Sequence, residues 1–283
     1  MSDIVGGAAS AASERCAAPS AAFFDDFKTA QLGLHRQEQL AEGISCSRPH
    51  LLLWRAPPAL IVGRSDSRLP HFADAADRLV AEGWPVLIRR SGGSACPISK
   101  GTLQIALART ATTEITIDSA YTELTNLIRT VLESYGLKVE TCSKSSAFCP
   151  GRYDISVNGR KIAGLSQHWR HCNGHITVTT AATMIVDQDP EAIAHIVNLF
   201  YRVAGSTERC SASAVGALRQ ALPVDVTFDA PLMEDVCNRI AKAARAEWRN
   251  DRRRISAPNP LPHVPCHTTI DPDHGVPVSM ARF

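Results

Sequence analysis

The stretch FCPGRYDISVNGRKIAGLSQHWR, Phe148 to Arg170, commits this chain to a tight β-hairpin. At its centre, Asn158-Gly159 is the strongest short hairpin signal, because both residues tolerate positive φ and suit a two-residue turn whose twist matches the flanking strands. Ahead of the turn, Ile155 and Val157 alternate with Asp154, Ser156 and Asn158; behind it come Lys161, Gly164, Ser166 and Gln167. With Asn158 and Gly159 as the loop, Ser156 faces Lys161 and Asp154 faces Ala163. Asp154 and Lys161 then lie diagonally on one face, roughly 7–8 Å apart between backbones, a gap their side chains can bridge. Cys149 precedes the hairpin in a loop closed by Pro150 and Gly151. A thiol, a carboxylate and an amine share one small unit.

The rest of the chain can bury such a unit. Its 283 residues, 45% hydrophobic and 20% charged, suit a globular protein with a sizeable core. A net charge of +2 gives no reason to expect a nucleic-acid partner. No apolar run approaches the roughly 18 residues of a spanning helix, and Leu51 to Val62 is interrupted by Arg55 and two prolines. The first residues lack the basic-then-apolar order of a secretory signal. A transit peptide fits poorly because of Asp3 and Glu14. Nine cysteines, an odd and unpatterned set, indicate reduced thiols rather than a disulfide framework. A soluble cytoplasmic protein is expected. Residues 1–22, rich in Ala, Ser and Gly, read as a disordered tail, 23–250 as a single catalytic domain, and 251–283 as a basic, Pro-rich tail.

Between the tails, helix and strand periods alternate. Phe23 to Glu42 reads as a helix with Phe23, Phe27, Ala30 and Leu34 on one face, stopped by Gly43. Leu51–Trp54, Ala59–Val62, Pro85–Ile88, Thr102–Ala108 and His175–Thr180 read as strands. Phe72–Glu82, Ser119–Tyr135 (capped by Asp118 or Ser119), Pro190–Tyr201, Ala212–Leu222 and Leu232–Trp248 read as helices. Strands that interleave with helices yet include hairpins predict a mixed α/β layered fold.

Three groups of residues could carry chemistry. Arg89-Arg90-Ser91-Gly92-Gly93-Ser94 follows a strand directly, so its glycines would let backbone amides approach a carbonyl or anion, and its arginines could meet a carboxylate or phosphate. A third glycine and a following helix are missing, so this is no dinucleotide fingerprint. Cys149 is a candidate nucleophile if nearby cations such as Arg152 or Lys161 activate it, and otherwise a buried structural thiol. Cys96, among Ala95, Pro97 and Ile98, reads as packing. His168, His171, Cys172 and His175 approximate metal-ligand spacing, but without a second ligand pair they read as a polar hairpin end, and no metal is expected.

Taken together, Gly63-Arg64-Ser65-Asp66-Ser67-Arg68-Leu69-Pro70-His71, Arg89 to Gly93, Lys100-Gly101-Thr102-Leu103 and the Cys149 to Gln167 block resemble the lipoate–protein ligase/octanoyltransferase family. Within it, the branch that moves octanoyl groups from the glycine cleavage H protein is most similar. The resemblance covers roughly Leu53 to Val178. It implies an α+β fold of the biotin/lipoate ligase catalytic type, with mixed, largely antiparallel sheets flanked by helices. Cys149 would then be the acyl-thioester nucleophile. Lys161 would orient the acyl carbonyl and assist proton transfer. Arg90 (with Arg89), Ser91, Gly92 and Gly93 would line the acyl site opposite Gly164, Ser166 and Gln167, while Asp154 would order the loop. The implied partners are lipoyl-domain proteins, the glycine cleavage H protein and 2-oxoacid dehydrogenase E2 subunits, with no nucleic acid and no membrane. No cofactor is required unless the chain is instead an ATP-dependent lipoate or octanoate ligase. Ser94 and Ile98 stand where the ligase pattern has a third glycine and a histidine, which disfavours that alternative. A non-catalytic acyl or lipoyl-domain binder is the remaining one.

Overall fold

The computed structural model describes residues 23–256 apart from 43, 45–48, 113, 173 and 229. The expected tail at 1–22, most of that at 251–283 and the helix stop at Gly43 lie outside the described residues. The chain runs β1 (Phe23–Asp26), α1 (Ala30–Gln39), β2 (His50–Arg55), β3 (Ala59–Val62), α2 (Phe72–Ala81), β4 (Val86–Ile88), β5 (Cys96–Ile98) and β6 (Thr102–Thr110). It continues through α3 (Ile117–Glu133), β7 (Val139–Thr141), β8 (Ile155–Val157), β9 (Arg160–Cys172), β10 (His175–Ile185), α4 (Pro190–Val203), α5 (Leu218–Ala221) and α6 (Leu232–Ser256). Seven strands form one sheet in the order β1-β2-β6-β10-β9-β8-β7, and three form a second, β4-β3-β5. Among the described strands only β1–β2 and β3–β4 pair in parallel. This is the expected α+β class with largely antiparallel sheets.

Both faces of the large sheet are covered, which is why Leu51–Trp54 reads as an unbroken apolar run. Leu51 and Leu53 join Leu103, Ile105 and Leu107 against α3 and α6, where Leu124, Ile128, Val236 and Ile240 pack. Leu52 and Trp54 point the other way, toward Ile61 and Ile98 of the small sheet and Leu40 after α1. A further apolar cluster, containing Leu60, Leu79, Val197, Phe200 and Phe148, joins α2 and α4 to the small sheet. The face turned toward the small sheet is lined by small residues, and the strand register aligns them. Gly164, Thr183, Gln104 and Trp54 form one row across four strands; Ser166, Ala181, Ala106 and Leu52 form the next. Large side chains are missing along these rows except at the Trp54 and Leu52 end, so space remains between the layers.

Several expectations need correction. The helix read over Phe23–Glu42 is a strand followed by a helix. Residues 23–26 pair with β2, and Thr29 starts α1 by accepting a hydrogen bond from the Leu32 amide. Of the residues whose spacing suggested one helix, Phe27, Ala30 and Leu34 meet the core beyond the end of β1. The helix read over Ala212–Leu222 breaks into a 3-10 turn, Ala212–Ala214, and the short α5. Between them Val215 bridges Lys161, and the Gly216 amide donates to the Lys161 carbonyl, drawing the backbone onto the hairpin edge. Helix α3 is capped by Thr116 through a reciprocal capping box with Ser119. Strands β5 and β7 had no sequence signal of their own, and β10 runs well past Thr180. Helix α6 continues to Ser256, past the helix end expected at Trp248.

Candidate active site

The hairpin turn forms as predicted. Asn158 and Gly159 take φ of 50° and 74°, and Ser156 pairs with Lys161. One detail differs, because Ala163 faces Ile155 rather than Asp154. Two residues of β9 advance against one of β8, a bulge that moves Asp154 out of the ladder. Its carboxylate still reaches the Lys161 ammonium, at 2.9 Å, with both side chains buried.

Lys161 is fully buried, and all three of its ammonium hydrogens are used. They go to the Phe148 carbonyl at 2.8 Å, the Cys149 carbonyl at 2.7 Å and Asp154 Oδ2 at 2.9 Å. The ammonium also lies 4.6 Å from the centre of the Phe148 ring. Asp154 Oδ2 accepts the Gly151 amide as well. Burial pushes the Asp154 carboxyl above the ordinary carboxylate range, against the pull of Lys161 and of that amide. Gly164 makes the lysine's position possible, since a Cβ there would lie 2.8 Å from Lys161 Cε and Nζ.

These contacts hold Cys149 at φ 41°, in the left-handed region that costs a non-glycine residue about 1–2 kcal/mol. Two donors from the glycine turn meet its sulfur. The Ser94 amide lies 3.2 Å from Sγ, and Arg89 Nη2 lies 3.5 Å away. Arg89 is only 8% exposed and also donates to the carbonyls of Gly92 (3.1 Å), Ser94 (2.7 Å) and Ile61 (3.4 Å). Gly93, at φ 101°, is required here: a Cβ would sit 2.5 Å from Arg89 Nη2 and 2.8 Å from the Cys149 sulfur. A second buried chain supports the turn. The Ala95 amide donates to the Tyr201 hydroxyl (3.1 Å), which donates to Asp66 Oδ1 (3.4 Å). Burial pushes the Asp66 carboxyl up and Tyr201 up to about 12.

Beside the thiol lies a cavity that opens to solvent, with about 490 Å³ of empty space counted out through its mouth. Cys149, Phe148, Arg89 and Ser91 line it together with Trp54, Leu34, Ala181, Ala182 and Leu165. Trp54 is fixed by its Nε1 donating to Gln37 of α1 at 3.0 Å. One wall is polar. The Cys96 thiol donates to Thr183, and Thr183 donates to Gln104, which donates to Thr102. Burial pushes the Cys96 thiol up, as befits a packed residue that also borders the cavity.

The structure gathers most of the residues singled out from the sequence. Cys149, Arg89, Ser91, Gly164 and Ser166 meet at the cavity, and the Ser91 hydroxyl donates to Ser166 across it at 3.2 Å. Gly92 and Gly93 form the turn around Arg89. Arg90 does not line the thiol's cavity. It is exposed, 3.3 Å from Glu38, and shares an adjoining recess with Arg89, Ser91 and His168, whose imidazole burial holds below the ordinary range. Gln167 faces away from Gly164 and Ser166, donating to the Ile117 carbonyl and accepting from Trp169. Arg152, considered as a cation for Cys149, points to Asp118 at the surface. Trp54, Gln104, Ala181 and Thr183 were not anticipated. Small residues at every second position of β10 were a signal for Ala181 and Thr183 alone.

A half-buried thiol held by amide and guanidinium at the mouth of a largely apolar cavity suits covalent capture of an acyl carbonyl. The family model of the lipoyl protein ligase A/B catalytic domain matches residues 30–244. The chain belongs to this family. Among curated proteins it is similar to the octanoyl-GcvH:protein N-octanoyltransferase of Staphylococcus aureus, 37% identical over 126 residues, or 44% of this chain and 45% of that protein. It is also similar to the protein of the same name from Geobacillus kaustophilus, 32% identical over 157 residues, 55% of this chain and 54% of that one. The chain thus matches about half the length of these relatives. Among solved structures it shares its fold with lipoate–protein ligase A bound with ATP, at a TM-score of 0.62, 17% identity, and coverage of 81% of this chain and 84% of that one. A bipartite lipoate protein ligase from Thermoplasma acidophilum, studied with its E2 lipoyl domain, gives a TM-score of 0.58 at 17% identity, with the same coverage.

Proposed function

We propose that this family member is a cysteine-dependent acyltransferase that moves an octanoyl or lipoyl group onto the target lysine of lipoyl domains. The observation that carries this is the Cys149 sulfur at the mouth of the apolar-lined cavity, with the Ser94 amide and Arg89 directed at it. In the first half-reaction Sγ attacks the acyl carbonyl of a donor lysine amide. The S–C bond forms, the C–N bond breaks, and the thiol proton leaves on the donor's ε-amine. In the second, an acceptor ε-amine attacks the thioester, forming the new amide and returning a proton to sulfur. Splitting the exchange in two replaces one difficult displacement with two easier ones. Each buried methylene of the chain adds up to ~0.8 kcal/mol of binding.

Exchange between two lysine amides makes and breaks the same kind of bond, so this route needs no nucleotide to drive it. The name shared by the curated relatives suggests octanoylated glycine cleavage H protein as donor, with E2 lipoyl domains as acceptors. A free nucleophilic thiol requires a reducing compartment, so we assign the reaction to the cytoplasm. Among the described residues no helix is long and apolar enough to cross a membrane. The test is incubation with octanoylated donor protein and an unmodified lipoyl domain, followed by intact-mass analysis. Transfer with an octanoyl adduct on Cys149 is expected. Undiminished transfer by Cys149→Ala would refute the proposal, and transfer from free octanoate that depends on ATP would favour a ligase.

A further inference from the structure

Three depressions on one side of the molecule share their walls. Leu34 of α1 borders the thiol's cavity, the recess beside it and a shallow furrow beyond. Gln37, Arg89, Ser91 and Ala181 join the cavity to the recess, and Glu38 joins the recess to the furrow. We infer that the recess and furrow, from Arg90 to Ile88, are the docking surface for the acceptor protein. Arg90 takes a carboxylate near the acceptor's target lysine, and an apolar side chain of the acceptor lies between Leu32 and Ile88. The inference rests on the acyltransferase reading above.

Reach comes first. A lysine amine hangs from its backbone on a four-carbon stem. An acceptor that brings its amine to a thioester on Cys149 must therefore lay its backbone on the rim of the mouth. On this side the rim is built from α1 and the end of β4. Strand β4 is an outer strand of the small sheet, and Ile88 ends it directly before Arg89 and Arg90. Ile88 is 49% exposed and Leu32 51% exposed, and both line the furrow with Gln31 and His35. A single exposed aliphatic residue is ordinary. Two that line one furrow leading to a reactive thiol form the apolar centre of a contact with polar edges.

Charge sets the partner's chemistry. The recess walls carry the guanidinium groups of Arg89 and Arg90 against one carboxylate, Glu38. Arg89 is buried and turned toward backbone carbonyls, whereas the Arg90 side chain is 57% exposed beside Glu38. His168 stays neutral at pH 7. Burial foremost, and then the fields of Arg170, Arg90 and Arg64, hold its imidazole below the ordinary range against the pull of Glu38. The same three arginines make the recess cationic. It favours an anion directly beside the mouth, and a carboxylate on the acceptor's lysine-bearing turn would share Arg90 with Glu38. Rim charges of this kind act on encounter and salt dependence more than on chemistry.

Steady-state transfer from octanoylated donor protein to an unmodified E2 lipoyl domain, with the acceptor varied at fixed donor, tests this. Arg90→Glu, and Leu32→Asp combined with Ile88→Asp, should each raise KM for the acceptor about tenfold, with a much smaller change in kcat. The wild-type KM should rise with ionic strength, and in Arg90→Glu that rise should vanish or reverse. All three altered residues are exposed, so melting curves and the rate of Cys149 alkylation by iodoacetamide should match the wild type. An acceptor whose acid nearest the target lysine is changed to Lys should be used better by Arg90→Glu than by the wild type. A wild-type KM in both variants would overturn the inference. So would a loss of transfer matched by an equal loss of alkylation, because the effect then passes through the thiol. A furrow variant that alters only sedimentation would also overturn it, making the furrow a contact between two copies of this chain. If the wild-type protein transfers no acyl group, the proposed function fails and this surface with it; normal transfer with KM unmoved in both variants overturns the surface alone.

Discussion

The turn after β4 and the hairpin β8–β9 each deliver one buried cation to Cys149, and they hold it in opposite ways. The hairpin surrounds Lys161 with a carboxylate and two carbonyls until none of its hydrogens is free. The turn gives Arg89 carbonyls alone and leaves one edge of the guanidinium at the sulfur. The comparison teaches that two buried cations beside one thiol can be balanced differently: one is neutralised by a neighbouring carboxylate, and the other has only carbonyls and a sulfur beside it.

The largest effect that bears on this comparison is expected when the sulfur both cations serve is removed. Cys149→Ala should lower acyl transfer by roughly 10³-fold or more, as loss of a nucleophile commonly does, while leaving the melting temperature little changed. Next comes the clasp itself. Lys161→Met leaves Asp154 charged and buried without its partner, and should destabilise the fold by about 3–5 kcal/mol, measured by denaturant unfolding. The Lys161→Met, Asp154→Leu pair should recover a substantial part of that loss. If the double variant is no more stable than the single one, the pair is not the structural cross-link described here. A smaller effect separates binding from poise. Ala181→Phe, which fills part of the cavity, should lower octanoyl transfer by about tenfold, equivalent to one or two methylenes left unburied. Cys149 alkylation should fall by less.

The smallest contrast lies among the thiols. Burial pushes Cys210 up to about 11 and Cys237 up to about 12. Both therefore remain protonated at neutral pH and become reactive only as pH rises toward those values. At pH 7, iodoacetamide should modify the half-buried Cys149 well before either.

Sequence made one half of this site plain and the other half only partly so, for a physical reason. The hairpin is local. Asn158-Gly159 sets the turn, the turn sets the pairing of Ser156 with Lys161, and Asp154 follows within reach even though a bulge displaces it. The glycine turn was visible too, but which arginine turns inward depends on β3, whose Ile61 carbonyl receives Arg89, and on the loop that brings Cys149 there. Without that pairing Arg90 looked the stronger candidate. Much of the cavity wall was hidden, because Trp54, Gln104 and Thr183 join Gly164 only once four strands are in register. Gln167 was misplaced for a simpler reason: it alternates to the opposite face of β9 from Ser166. Residues 23–26 satisfied a helical spacing and a strand edge equally well, and the unpaired side of β2 decided between them.

The central claim is that Cys149 carries the acyl group between two proteins. The most direct measurement is peptide mapping of this chain after brief incubation with octanoylated donor protein and an acid quench. An octanoyl thioester on the peptide containing Cys149, which disappears when an unmodified lipoyl domain is added, is the predicted result. Transfer that proceeds while that peptide stays unmodified at every time point would contradict the account.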